Sequence, residues 1–311
     1  MKLSVVTTLY SSSRYINEFY IRITSEAKKV TDSYEIIFVN DGSPDNSLDL
    51  VRKICAQDVH VKVVDLSRNF GHHRAMMCGL EHALGERVFL IDVDLEELPE
   101  ALSHFWQIME QDAGIDVVIG ELAEKTVPLF KRSTSDLFYK LFNALSVVKI
   151  SSRDIVSRLM TRDYVNALIR YGEKEIFFPA IWEDAGFKQV RVPATKSYDG
   201  NSTYTLKRKL AMAVDAITSF SSKPLIYIFY LGLTFSFGSL LFIAFLIARR
   251  IVLGSAILGW TSLIATIFLI GGIIIFSLGI IGIYLSKIYM QVKSRPNSIV
   301  KKIYQHPSIN Q

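Results

Sequence analysis

The sequence predicts a doubly wound α/β sheet followed by a membrane-embedded helical hairpin, and three observations predict it. Short β-branched or apolar runs alternate with helix-period segments through the first 120 residues, polar residues cluster directly after those runs, and the apolar excess collects beyond residue 224.

Five runs read as buried parallel strands: Leu3 to Leu9, Glu35 to Val39, Val61 to Leu66, Arg87 to Ile91 and Asp116 to Ile119. Near-continuous apolar runs of this length suit strands covered on both faces. Helical spacing occupies Asn17 to Val30, Ser47 to Ala56, His73 to Leu84 and Glu100 to Glu110. The alternation gives a sheet with helices on both faces, and ligands of such sheets sit beyond the carboxyl ends of the strands.

A chain of 311 residues exceeds what one core usually fills, so a second part is expected. Half of the residues are hydrophobic and mean hydropathy is +0.27, yet 21% are charged. The apolar residues must therefore be segregated. Leu225 to Ala248 is an uncharged stretch of 24 residues, about 36 Å long as a helix and sufficient for a bilayer core. Leu258 to Leu285 is the second such stretch. The resulting division is a domain at 1–205, a juxtamembrane amphipathic helix at 206–224, two transmembrane helices at 225–286 and a basic tail at 287–311.

Net charge is +5, but residues 200–311 carry eleven Lys or Arg against Asp215 alone, so the first 199 residues hold −5. The cations flank the apolar spans, as the positive-inside rule and anionic headgroups require, and put both termini in the cytoplasm. No nucleic-acid motif accompanies them, which excludes that class of partner. Met1 to Tyr10 is too short for a signal peptide. Cys55 and Cys78 have no metal or disulfide spacing and read as reduced thiols. Leu129 to Val148 and Leu206 to Phe220 have helical spacing that suits either core packing or the membrane interface. Gly271-Gly272 and Gly279 to Gly282 would let helices approach closely, including in a homo-oligomer.

Four strand ends carry polar residues: Thr8 and Tyr10, Asn40 to Ser43, Ser67 to Asn69, and Asp92-Val93-Asp94. Two carboxylates two residues apart at a strand end suit a divalent cation, Mg²⁺ or Mn²⁺, that bridges a diphosphate. With 16 Asp in the chain, about 0.8 Asp-x-Asp arises by chance, so context carries the reading. Here an apolar strand precedes the motif, and Glu96 and Glu97 add acids that repel one another without a cation. Asp41 and Gly42 belong to a turn placed to meet a nucleotide, while Arg68, Asn69, His72, His73 and Arg74 cluster about Gly71 where phosphate or sugar hydroxyls would lie. Zinc patterns are absent.

These residues resemble the family 2 glycosyltransferases of GT-A fold, in the polyprenyl-phosphate branch that includes dolichol-phosphate mannose synthase and the bactoprenol glucosyltransferases. The resemblance runs through Phe38 to Ser43, Arg68 to Gly71, Asp92 to Leu95 with Pro99-Glu100, Arg158 to Met160, Gly186 to Lys188, Gly200 to Ser202 with Tyr204, and Ile217 to Ser221. It implies a membrane-bound, inverting transfer from a nucleotide sugar to a polyprenyl phosphate such as undecaprenyl phosphate. It also implies nucleotide contacts at Thr8, Tyr10, Asp41, Gly42, Arg74 and Asp92, metal at Asp92 and Asp94, and acceptor contacts at Arg158, Ser202 and Tyr204.

Departures from the pattern bear on donor and acceptor choice. Ser11-Ser12-Ser13 replaces a usual Pro-x-Tyr-Asn-Glu, Glu96-Glu97 replaces Gln-Asp, and Val156 stands where Asp is common. Glu183-Asp184 is an acidic pair where the branch is usually apolar, either capping a helix or serving as base toward a sugar hydroxyl of a lipid-diphosphate-linked glycan. The expected catalytic set is thus Asp94, Arg158, Glu183 and Asp184.

Overall fold

The computed structural model describes residues 1–122, 142–146, 148–194, 214, 217–219, 221–253 and 259–309. The chain forms two compact units: Met1–Lys140 with Val148–Tyr204 and Arg295–Gln311, and Leu141–Val147 with Thr205–Ser294.

The first unit contains β1 (Leu3–Leu9), α1 (Ile16–Val30), β2 (Tyr34–Asn40), α2 (Ser47–Cys55), β3 (Val61–Leu66), α3 (His72–His82), β4 (Arg87–Leu90) and α4 (Ala101–Gln111). They are followed by β5 (Val117–Leu122), β6 (Asp154–Thr161), α5 (Arg162–Arg170), α6 (Phe178–Asp184), β7 (Gln189–Ala194) and, after the second unit, β8 (Val300–Tyr304). One eight-stranded sheet results, in the order β7-β5-β6-β4-β1-β2-β3-β8. The five strands expected from sequence all run in one direction, because β6 is antiparallel to both β4 and β5 and so restores it.

Every residue of β1 and β2 is buried, a condition suited to their β-branched and apolar majority, with Ser4, Thr7, Thr8, Glu35 and Asn40 buried among them. On one face lies a core that includes Phe19, Phe38, Phe89, Phe105 and Leu159. On α3, a Cβ at Gly79 would stand 2.4 Å from Val6 Cγ1 and 3.0 Å from Val39 Cγ2. The missing side chain lets α3 settle close on β1 and β2, which brings its first turn to the sheet's carboxyl end. Cys55 and Cys78 are buried free thiols.

Three strands depart from the sequence expectation. β6 enters the middle of the sheet although it carries buried Ser157 and Arg158, β7 joins beside β5, and β8 lies in the segment expected as a basic tail. β8 pairs antiparallel with β3, Val63 opposite Tyr304 and Leu66 opposite Val300.

The second unit contains α7 (Lys223–Leu253) and α8 (Trp260–Val292), on which the expected spans fall. The Tyr284 hydroxyl donates to the Ser221 carbonyl at 2.5 Å and Lys287 Nζ to Ser219 Oγ at 3.0 Å, placing the approach to α7 beside the end of α8. Among the described residues, Leu269–Val292 has the length and apolarity to cross a membrane, with mean hydropathy 2.3. The expected interface segments Leu129 to Val148 and Leu206 to Phe220 fall largely outside the described residues.

Candidate active site

The strand order reverses at β1, with β2 and β3 on one side and β4 on the other. Chain segments leave such a switch point toward opposite faces and open a crevice beyond the strands. A cleft of about 590 Å³ lies there, lined by Thr8, Tyr10, Ser11 and Ser12 from the end of β1, Arg14 and Tyr15 before α1, His72 of α3, and Asp92, Val93, Asp94 and Glu96 after β4.

The three serines that replace the family's usual loop tie the ends of β1 and β2 together. Backbone N–H groups of Ser11, Ser12 and Ser13 donate to Ser43 Oγ at 2.8 Å, Ser47 Oγ at 3.2 Å and Asp45 Oδ2 at 3.0 Å. Burial pushes the Asp45 carboxyl upward, but hydrogen bonds from Ser43, Ser47 and Ser13 outweigh it and hold the group well below the usual carboxylate range.

Asp41 is 2% exposed and accepts from the backbone N–H of Phe70 at 2.7 Å and of Gly71 at 3.0 Å. It therefore shapes the loop Ser67–Gly71 from beneath. Gly42 has a φ of 60°, and a Cβ there would sit 2.5 Å from the Arg68 carbonyl carbon and 2.5 Å from the Asn69 nitrogen. Neither residue lines the cleft.

Within the cleft, His72 Nδ1 lies 3.0 Å from Thr8 Oγ1 and its Nε2 3.4 Å from Asp92 Oδ1, linking the ends of β1 and β4 through one imidazole. Asp94 Oδ1 accepts the Glu96 N–H at 3.0 Å, and Leu95 between them holds a φ of 60°, a conformation that costs a residue with a Cβ about 1 kcal/mol. The acid cluster is less repulsive than its composition suggests. Glu97 is buried and accepts from the Val156 and Ser157 N–H groups at 3.1 and 2.6 Å, clamping this loop to β6.

Of the residues singled out in the sequence, the structure brings Thr8, Tyr10, His72, Asp92, Asp94 and Glu96 together. Arg74 donates to the Lys174 carbonyl at 2.8 Å outside the cleft lining. Arg158 is fully buried, its guanidinium over the Trp182 ring and donating to the carbonyls of Ile155 and Val156; burial pushes it down to about 10. Glu183 is ion-paired with Arg191, which also holds Asp154, while Asp184 accepts the Tyr171 hydroxyl at 2.8 Å. Ser202 and Tyr204 lie outside the described residues. Arg14 and Tyr15, which sequence reasoning passed over, enter the cleft with the guanidinium 4.4 Å from the ring centroid. Their signal was their place just beyond the first strand.

In the connection between α5 and α6, burial and then the charge of Asp184 push the Glu173 carboxyl up to about 7. A folded-state pKa above the unfolded value means that its contribution is intact below about pH 4.5 and is lost as pH rises through about 7. Glu173→Gln is therefore expected to raise the melting temperature at pH 8 and leave it unchanged at pH 4, as thermal denaturation at the two pH values would show.

Among the described residues no three His, Cys, Asp or Glu side chains converge as a metal cage. The donor set nonetheless fits a hard divalent cation. Asp92 and Asp94 line the same cleft, and Mg²⁺ or Mn²⁺ ordinarily takes its other ligands from water and substrate phosphate.

A doubly wound sheet with paired carboxylates at its switch-point cleft fits the GT-A arrangement of glycosyltransferases. The chain belongs to glycosyl transferase family 2, whose model matches residues 4–170. It is 42% identical to a Mycobacterium tuberculosis protein described as putative glycosyltransferases, over 98% of this chain and 89% of that one. It is 32% identical to the SfII prophage-derived bactoprenol glucosyl transferase of Shigella flexneri, over 98% of this chain and 99% of that one. Among solved structures, glucosyl-3-phosphoglycerate synthase from Mycobacterium tuberculosis, in complex with Mn²⁺, uridine diphosphate and phosphoglyceric acid, superposes with a TM-score of 0.47 at 18% identity, covering 70% of this chain and 76% of that one.

Proposed function

We propose that the protein moves a sugar, with inversion, from a nucleotide-diphosphate sugar to a polyprenyl phosphate at the cytoplasmic face of a membrane. The observation that carries this reading is the similarity to a bactoprenol glucosyl transferase over 98% of the chain, which extends well past the family model's residues 4–170 into the apolar helices. α7 and α8 are read as crossing the bilayer as a hairpin, with the α/β unit and both termini on the cytoplasmic side. Their flanking cations support that orientation.

In this reading the cleft holds the diphosphate of the donor. Asp92 and Asp94 would hold Mg²⁺ or Mn²⁺, which supplies positive charge to the leaving nucleoside diphosphate. Thr8 and Asp92 flank His72, which keeps the two strand ends in register around that group. The acceptor's phosphate oxygen attacks the anomeric carbon as the bond to the diphosphate oxygen breaks on the opposite side. An anionic phosphate needs no proton removed, so no general base is required.

The engagement of Glu183 by Arg191 and of Asp184 by Tyr171 supports this acceptor over a sugar hydroxyl, which would need a base. The test is transfer from radiolabelled nucleotide sugars to undecaprenyl phosphate in detergent with Mn²⁺. The Glu183→Gln/Asp184→Asn variant is expected to keep its rate within about threefold. Product formed only on a glycan-bearing lipid diphosphate, and lost in that variant, would overturn the reading in favour of the hydroxyl acceptor.

A further inference from the structure

The segment that follows α8 re-enters the α/β unit at the carboxyl end of β3, from which the loop Ser67–Gly71 leads to the cleft residue His72, and it touches three elements around that loop. β8 lies along β3, and at its start the Ser67 N–H donates to the Ile299 carbonyl at 2.9 Å. Ser67 opens the loop whose Phe70 and Gly71 N–H groups bind Asp41. Ser298 lies beside the Cys78 thiol on α3 and opposes the upward push that burial gives it, to about 11. Asn297 Nδ2 donates to the Glu173 carbonyl at 3.0 Å; a carbonyl accepts only from a donor, which fixes the amide's orientation.

That last bond completes a three-point hold on residues 173–176. Arg74 donates to the Lys174 carbonyl at 2.8 Å, and His73 Nδ1 donates to the Ile176 carbonyl at 2.9 Å. His73 and Arg74 directly follow His72, the α3 residue that lines the cleft. The post-helix segment is therefore joined on one side to the loop seated on Asp41 and on the other, through residues 173–176, to the turn carrying His72.

We propose that residues 297–304 are a positioning segment for nucleotide binding, a clamp supplied from beyond the apolar helices that holds the Ser67–Gly71 loop and the first turn of α3 in their binding geometry. The proposal rests on the reading of the cleft as a nucleotide-diphosphate site. It makes Asn297 a positioning residue rather than one that touches the donor.

The test uses the full chain in detergent, measuring dissociation constants for uridine, guanosine and adenosine diphosphate with Mn²⁺, alongside donor KM, kcat and melting temperature. Asn297→Asp keeps the shape and loses the donor. It is expected to weaken binding of the recognised nucleoside diphosphate and raise donor KM by roughly three- to tenfold, the range for one hydrogen bond, with kcat and melting temperature little changed. Asn297→Gln, which keeps the amide, should recover most of the affinity. Lys302→Pro, which disturbs β8, should act in the same direction; if it does not fold, the Asn297 pair carries the test. Unchanged binding in Asn297→Asp would overturn the clamp while leaving the site reading intact. A loss shared by Asn297→Gln and matched by a falling melting temperature would also overturn it. If the unaltered chain bound none of the three nucleotides, the site reading itself would fall, and the clamp with it.

Discussion

Replacing Asp94 with Ala is expected to lower turnover by about a thousandfold, on the scale of removing a group aimed at charge that develops in the transition state. Asp94 is half-buried in the cleft and contributes nothing to the apolar core. What its side chain does for the fold is accept one N–H, that of Glu96. Losing such a bond costs about 1 kcal/mol, or about 2 to 4 °C in melting temperature for a domain of this size. A large kinetic loss beside a small thermal one is the signature to seek. Initial rates with Mn²⁺ and a melting curve would check it, and activity of the unaltered chain that survives saturating EDTA would refute the metal assignment.

Gly42→Ala should also be damaging, for a different reason. The position has a φ of 60°, and its added Cβ would fall 2.5 Å from backbone atoms of both Arg68 and Asn69. No side-chain rotation relieves a collision between backbone segments, so either β2 shifts or the Ser67–Gly71 loop lifts away from Asp41. A stability loss of about 2 to 4 kcal/mol is expected, with donor KM raised at least about tenfold as the loop is displaced. Gly71→Ala is the matched control. Its φ of 101° is also strained, but an added Cβ there meets no atom within 4 Å. It should lose stability by the backbone cost alone, about 1 to 2 kcal/mol. Urea denaturation of the two variants would separate collision from strain.

The parallel part of the sheet was legible in the sequence because a strand buried on both faces favours β-branched and apolar residues, and β1 through β5 are rich in them even where Glu35 or Asp65 is buried among them. β6 was not legible. Its centre carries Ser157 and Arg158, polar groups accommodated by Glu97 from 60 positions upstream and by Trp182 further on. β8 was concealed by Lys301 and Lys302, which face outward on an edge where charge discourages further pairing.

The site divides along the same line. Thr8, Tyr10, Asp92 and Asp94 were readable because a position just beyond a strand already places a residue at the cleft. Arg74, Arg158, Glu183 and Asp184 were singled out by residue type or motif, and their surroundings depend on partners that the local sequence does not announce: Lys174, Trp182, Arg191 and Tyr171.

The position of β8 also sets an order of events during synthesis. β3 is made early, but the strand that covers its outer edge emerges roughly 230 residues later, about 10 to 50 s at ordinary elongation rates. Throughout that interval the edge of β3 is an open template, and both apolar helices are synthesised before it closes. The sheet is completed only once the hydrophobic part of the chain has left the ribosome, so a nascent chain halted before the helices is left with an unfinished edge.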